Sequence, residues 1–219
     1  MKRFELDLQI NLFKKFDSIR NKKDIILLLL ETIKLWILNE EKIKEFDDFA
    51  IIDNEEDLKV VIYIDKMSRI FLCTKNKVQS FCFPFTVIDN NHKIEFWYKC
   101  IEFKCALISV LNSIFENTPM DNAIYLVDTL LDDNGYKSLN EEEQEILEDL
   151  VIFLLSFEDG YLRFDFSDEE NYKEKYHPRH HIDFYYTNCN TFKLGLSDVL
   201  PMKRNIEIID INQKCFTIM

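Results

Sequence analysis

Hydrophobic positions follow a helical period at the start of the chain, a strand period in its second quarter, a helical period through its middle and a strand period near its end. Phe4, Leu8, Leu12 and Phe16 recur every four residues, which predicts one amphipathic helix. A second helix is predicted from Asp24, read as its N-cap, to about Phe46, burying Ile26, Leu29, Leu30, Ile33, Ile37 and Leu38. The period then shortens to two, as Leu58, Val60, Ile62 and Ile64 alternate with Lys59, Val61, Tyr63 and Asp65. Arg69–Thr74 and Val78–Phe83 follow at hairpin spacing, so this stretch reads as an antiparallel meander closed by Pro84.

From about Glu95 to Asn117 the helical period returns, with Phe96, Cys100, Phe103, Leu107, Val110 and Ile114 on one face. A shorter helix is expected over Ala123–Leu131, ending near Gly135. Ser138 followed by Glu141 reads as a capping box that opens a helix over Asn140–Phe157. Ile146, Leu147, Leu150, Val151, Leu154 and Leu155 form its buried stripe, with Glu141, Glu142, Glu143, Glu145, Glu148 and Asp149 facing water. After Gly160 come three predicted strands, Tyr161–Phe166, His181–Thr187 and Thr191–Leu196, and Ile206–Ile211 is a candidate for a fourth. The expectation is one α+β domain over residues 1–219, with antiparallel strands in two runs (58–83 and 161–196) packed with about five helices.

Composition removes several function classes. Only three glycines occur, Gly135, Gly160 and Gly195, so neither GxGxxG nor GxxxxGK[ST] can be built, and the nucleophile elbow GxSxG is absent. None of the six cysteines stands in a CxxC pair, which argues against a structural zinc site; Cys100 and Cys105 read as small core residues of a helix. Trp36 and Trp97 likewise read as core residues of helical stripes. The run Ile25–Leu30 is cut by Glu31 and Lys34, well short of the roughly 20 apolar residues a membrane helix needs. The expected location is the cytoplasm, the host cell's if the chain is phage-encoded, and no membrane partner is expected.

The charge is unevenly spread. Between Asp128 and Glu174 stand sixteen acidic and three basic residues, and the rest of the chain is balanced, so this stretch holds the whole net charge of −13. Such a stretch favours a basic protein or a protein–nucleic-acid complex as partner, repels nucleic acid directly, or serves solubility alone. Glu141, Glu142 and Glu145 are the candidate docking residues.

Candidate chemistry is concentrated in the last third. Strand alternation puts Leu162, Phe164 and Phe166 on one face and Arg163 and Asp165 on the other. It does the same for Ile182, Phe184 and Tyr186 against His181, Asp183 and Tyr185, and it sets Lys193 opposite Phe192 and Leu194. If the three strands pair, Arg163, Asp165, His181, Asp183, Tyr185 and Lys193 share one polar sheet face. His181 can then act as general acid or base beside Asp165 or Asp183, with Arg163 and Lys193 holding a phosphate. No cofactor is required by these patterns; the alternative is a divalent metal, with His177 and His180 as further ligand candidates, although HxxHH matches no zinc motif. A purely structural reading makes the same residues a buried polar network that pins a loop to the sheet.

Arg163-Phe164-Asp165, an acidic loop, and His177-Pro178-Arg179-His180-His181-Ile182 resemble a block shared by small uncharacterised bacterial proteins of defence loci and toxin–antitoxin operons. The resemblance spans 161–196, about a sixth of the chain, and it implies a setting in phage–host conflict without supplying a reaction. Two functions are carried forward. One is a non-enzymatic regulator, inhibitor or accessory subunit of a defence module, docking a basic partner through the acidic 128–174 surface. The alternative is a phosphodiester- or nucleotide-directed hydrolase or toxin-like effector that uses Arg163, Asp165, His181 and Asp183.

Overall fold

A computed structural model describes residues 3–9, 19, 21–45, 52, 57–64, 67–90, 93–117, 123–166, 178–187, 190–198 and 200–210. The fold is α+β, with antiparallel sheets and helices. By their contacts the residues fall into two compact units: 1–12, 42–83 and 159–219 form one, and 13–41 with 84–158 form the other.

The first unit is built on an eight-stranded sheet: β1 (Arg3–Gln9), β2 (Lys44–Glu45), β3 (Asp57–Tyr63), β4 (Arg69–Cys73), β5 (Lys77–Cys82), β9 (Leu162–Phe166), β10 (His180–Thr187) and β11 (Asn190–Gly195). Their order is β11-β10-β9-β5-β4-β3-β1-β2, and every neighbouring pair is antiparallel. The two predicted runs of strands are thus one sheet, joined where β5 pairs with β9. On one face Val61, Phe71, Cys73, Val78, Phe164 and Ile182 form a buried core. Ile206, from the short helix α6 (Met202–Glu207), packs into that core.

The first predicted helix is instead a strand over Arg3–Gln9. A spacing of four is also a multiple of two, and Leu6 completes the alternation Phe4-Leu6-Leu8, all three buried. Leu12 and Phe16 lie outside the described residues. The candidate strand at Ile206 is helical as far as Glu207, starting directly after Pro201; its isoleucines favour a strand, but Pro201 suits a helix start.

The second unit combines α1 (Lys22–Leu38), α2 (Cys105–Asn117), α3 (Ala123–Asp132), α4 (Asn134–Lys137) and α5 (Glu141–Ser156) with a small sheet. That sheet is β6 (Thr86–Asn90), β7 (Lys93–Tyr98) and β8 (Ile101–Glu102), in sequence order. Helix α1 packs against α2, α5 and β7, and its residues 25–30 are all buried. Its N-cap is Asn21, with Asp24 at the third helical position closing a capping box. It ends at Leu38, which is exposed rather than buried.

The helical period predicts a helix over Glu95–Asn117, yet α2 begins only at Cys105 and residues 93–98 form β7. Ile94, Phe96 and Tyr98 are its buried side, an alternation the helical reading passed over. Trp97 is therefore a half-buried strand residue whose indole N–H donates to Glu95, and Cys100 is exposed in the turn after β7. Helix α5 starts one position later than expected, capped by Asn140 with Glu143, not by Ser138 with Glu141. Among the described residues no helix is long and apolar enough to cross a membrane.

Candidate functional site

Strand register brings the six predicted side chains together. Across β9, β10 and β11, Asp165 stands opposite His181, Arg163 opposite Asp183, and Lys193 opposite Asp183 on the other side. Directly opposed residues of a sheet share a face, so these side chains project together, with Tyr185 two residues beyond Asp183. The other face of the same strands holds Phe164 and Ile182 in the core. Apolar alternation thus fixes the polar set by exclusion.

Asp183 is the centre of the cluster and only 3% exposed. One carboxylate oxygen accepts from Nη2 of Arg163 at 2.6 Å and the other from Nζ of Lys193 at 2.6 Å. Arg163 is a three-way fork: Nε donates to Asp165 at 2.7 Å and Nη1 to the Tyr185 hydroxyl at 2.9 Å. Burial opposes the charge on Arg163, but Asp165, Tyr185 and Asp183 outweigh it and raise the guanidinium pKa. Burial, together with Asp183 and Asp165, raises the Tyr185 pKa against the pull of Arg163, so its O–H remains a donor.

His181 is 2% exposed. Its Nδ1 lies 2.9 Å from the carbonyl oxygen of Pro178, an acceptor that requires a proton on Nδ1. In the neutral ring Nε2 then carries the lone pair, and Lys193 Nζ donates to it at 3.0 Å. Asp165 and Asp183 lie 3.3 and 3.6 Å from the same nitrogen. Burial and the Lys193 ammonium lower the imidazole pKa, outweighing the two carboxylates. The ring is thus held neutral, in one tautomer, with its basic nitrogen turned to the centre of the cluster.

Two carboxylates face two cations, so the cluster is balanced in formal charge. Burial differs within it: Asp183 and His181 are enclosed, while Arg163 and Lys193 reach solvent, their side chains 21% and 29% exposed. Groups positioned this way can bind an anion at the rim and move a proton at the buried nitrogen.

Sequence reasoning missed two contributors. The Pro178 carbonyl orients His181. Buried Gln79 on β5 stands opposite Arg163 in the same row, a neighbour visible only once β5 pairs with β9. Of the two further metal candidates, His177 lies outside the described residues. His180 pairs with Phe166 in register, one position out of phase with His181, and its ring lies 6.5 Å from that of Phe166. It does not join the carboxylates. Among the described residues, Asp165, His181 and Asp183 have ligand atoms within 4.8 Å of one another.

The candidate docking residues Glu141, Glu142 and Glu145 belong to the helical unit, exposed on the first turns of α5. Asp149, expected to face water, instead accepts from the Tyr98 hydroxyl at 2.5 Å and pairs with Lys99 at 2.6 Å. Much of the acidic loop before His180, residues 167–177, lies outside the described residues. Comparison with protein-family models, with curated proteins and with solved structures finds no match.

Proposed function

We propose that the chain acts on a phosphate-bearing ligand, a nucleotide or short phosphodiester, through the polar face of β9–β11, as a hydrolase or toxin-like effector. The observation that carries this reading is the placement of a neutral, single-tautomer His181 behind two cations, Arg163 and Lys193, that reach solvent. An apolar set would be as stable in this sheet or more so, because paired charges recover little beyond their desolvation cost. Elsewhere on the same face Leu72, Val60 and Leu6 take that apolar course. In this reading a phosphate oxygen draws Lys193 from Nε2, Arg163 and Tyr185 hold the remaining oxygens, and the freed nitrogen takes a proton from water. The water oxygen bonds to phosphorus as the bond from phosphorus to the ester oxygen breaks, and Nε2 then returns the proton to the departing oxygen. Small ligands are favoured over long nucleic acids by the net charge of −13.

The test is hydrolysis of nucleotides and of a chromogenic phosphodiester by the wild-type chain, His181→Ala and Asp165→Asn, with circular dichroism as the fold control. Loss of about 100-fold or more is expected for His181→Ala, which removes the base, and a smaller loss for Asp165→Asn, which loosens Arg163. Undiminished turnover in folded variants would make the cluster structural.

A second reading is supported by a separate observation, the exposed acids on the first turns of α5 within the stretch that holds all the net charge. Here the chain is a non-enzymatic regulator, inhibitor or accessory subunit that docks a basic protein or protein–nucleic-acid complex. The resemblance of the 161–196 block supports a defence setting for either reading. Reversing Glu141, Glu142 and Glu145 to Lys should abolish capture of such a partner, and capture should weaken with salt. Unchanged capture by the reversed chain would remove this reading.

A further inference from the structure

We infer that Asp165, His181 and Asp183 form a binding site for a first-row divalent metal, Zn2+ or Co2+, and that the Lys193 ammonium competes for the same position. The donor set is one imidazole nitrogen and two carboxylates, which suits these ions better than Mg2+. Two of its three donor–donor separations are near those a tetrahedral ion needs, and the third, between the carboxylates, is within 4.8 Å. Bonds of about 2.0–2.1 Å to a tetrahedral ion put adjacent donor atoms about 3.3 Å apart. Nε2 of His181 is 3.3 Å from Asp165 Oδ2 and 3.6 Å from Asp183 Oδ1.

A second observation identifies the place as one for a cation. Lys193 Nζ lies 2.6 Å from Asp183 Oδ1 and 3.0 Å from Nε2 of His181, at hydrogen-bond rather than coordination distance from two of the three donors. An ammonium and a metal ion would need the same two lone pairs, so they are mutually exclusive. Lys193 is the group able to leave: it sits on β11, its side chain is 29% exposed, and a four-carbon stem lets the charge swing to water. Pro178 already fixes the ring so that Nε2 faces the site, the outer-shell contact that metal-bound histidines need.

Exchanging the ammonium for a dication, with Arg163 still in place, leaves the cluster with one excess positive charge. That excess would favour binding of a phosphate-bearing ligand, but a metal on Nε2 takes the lone pair that accepts the proton in the reaction proposed above. The two are therefore alternative states of the site, and the cation site does not depend on that reaction.

The experiment is calorimetric titration of the full chain with Zn2+, repeated with Co2+ followed by visible absorption, for the wild type, Lys193→Met and the double variant Lys193→Met/Asp183→Asn. Lys193→Met should bind Zn2+ at least tenfold more tightly than the wild type, with a Co2+ spectrum free of thiolate charge transfer, and the added Asp183→Asn should abolish the gain. Equal affinities, a thiolate band, or binding that survives loss of Asp183 would overturn the inference. Lys193→Gln, which keeps a donor toward Asp183 without the charge, provides the same comparison if the methionine variant does not fold. Hydrolysis assays read the reaction separately, so absence of metal binding with turnover intact would remove only this site.

Discussion

Nη2 of Arg69 donates a 2.6 Å hydrogen bond to the carbonyl oxygen of Gly160, ninety-one residues further along the chain. The same guanidinium donates through Nε to Ser80 at 2.9 Å. Arg69 is almost fully buried, and burial lowers its pKa, with Cys82 and Asp159 acting in the opposite sense. It therefore fastens the start of β9 to β4 and β5, the join on which the polar face depends. Gly160 has φ of +51°, and a Cβ there would lie 3.0 Å from Cys82 Sγ and 3.2 Å from Arg69 Nη1. Gly160→Ala should cost about 1–2 kcal/mol from the left-handed backbone alone. Urea denaturation measures it, and an unchanged midpoint would show that neither φ nor the close approach matters.

Removing the centre of the cluster should be expensive for stability as well as for function. Asp183→Ala leaves Arg163 and Lys193 without the buried carboxylate they share, and breaking such a pair costs about 3–5 kcal/mol. Replacing Arg163, Asp165, Asp183 and Lys193 together with Leu should cost far less, because no charge is then stranded. Chemical denaturation of the two proteins gives the comparison, and similar losses in both would contradict a strongly coupled network.

The cap of α5 separates two ways of reading the same segment. Asn140 accepts from the Glu143 backbone N–H, and the Glu143 carboxylate accepts in return from the Asn140 N–H. Asn140→Ala should destabilise the chain by about 1 kcal/mol. Ser138→Ala removes one exposed bond to the Gly135 carbonyl and should cost clearly less. The reverse order of thermal midpoints would restore Ser138 as the cap.

Asp149 gives an acid-limb prediction. Lys99 first, and Tyr98 second, hold its carboxyl below the ordinary value, against a smaller opposing effect of burial. A depressed carboxylate contributes stability that is fully present above the unfolded pKa, about 3.9, and lost as pH falls through the folded value. Asp149→Asn should therefore be less stable than the wild type at pH 6, with the gap closing below about pH 4. The Lys99 and Asp149 side chains are 58% and 45% exposed, so added salt should narrow the gap at pH 6. A difference that is constant with pH would rule out the carboxylate as its source.

The cluster was legible before the fold was, because it needed only a strict two-residue period and opposite characters on the two faces. Phe164 and Ile182 fixed one side, and Arg163, Asp165, His181 and Asp183 had to take the other. Tyr185 and Lys193 followed from the same alternation. The period failed as a guide where it was ambiguous or composite. Phe4 and Leu8 satisfy both periods, and the stretch after Lys93 is a strand, a turn and a helix whose apolar positions align by chance with one helical stripe. Pairing of β5 with β9 could not be read at all, since it joins residues that no local pattern relates. The role of Pro178 was hidden for a similar reason: a backbone carbonyl has no residue type to announce it.

The junction of β5 and β9 also says something about the history open to this chain. Residues 84–158 are threaded between two strands that are hydrogen-bonded neighbours, and the Cys82 N–H donates to the Asp159 carbonyl at 2.7 Å where the chain departs and comes back. A detour whose two ends touch adds little closure entropy for each added residue. The sheet can therefore tolerate excursions of very different length at this point, and size variation among any descendants should concentrate there, leaving the register of Arg163 and Asp183 untouched.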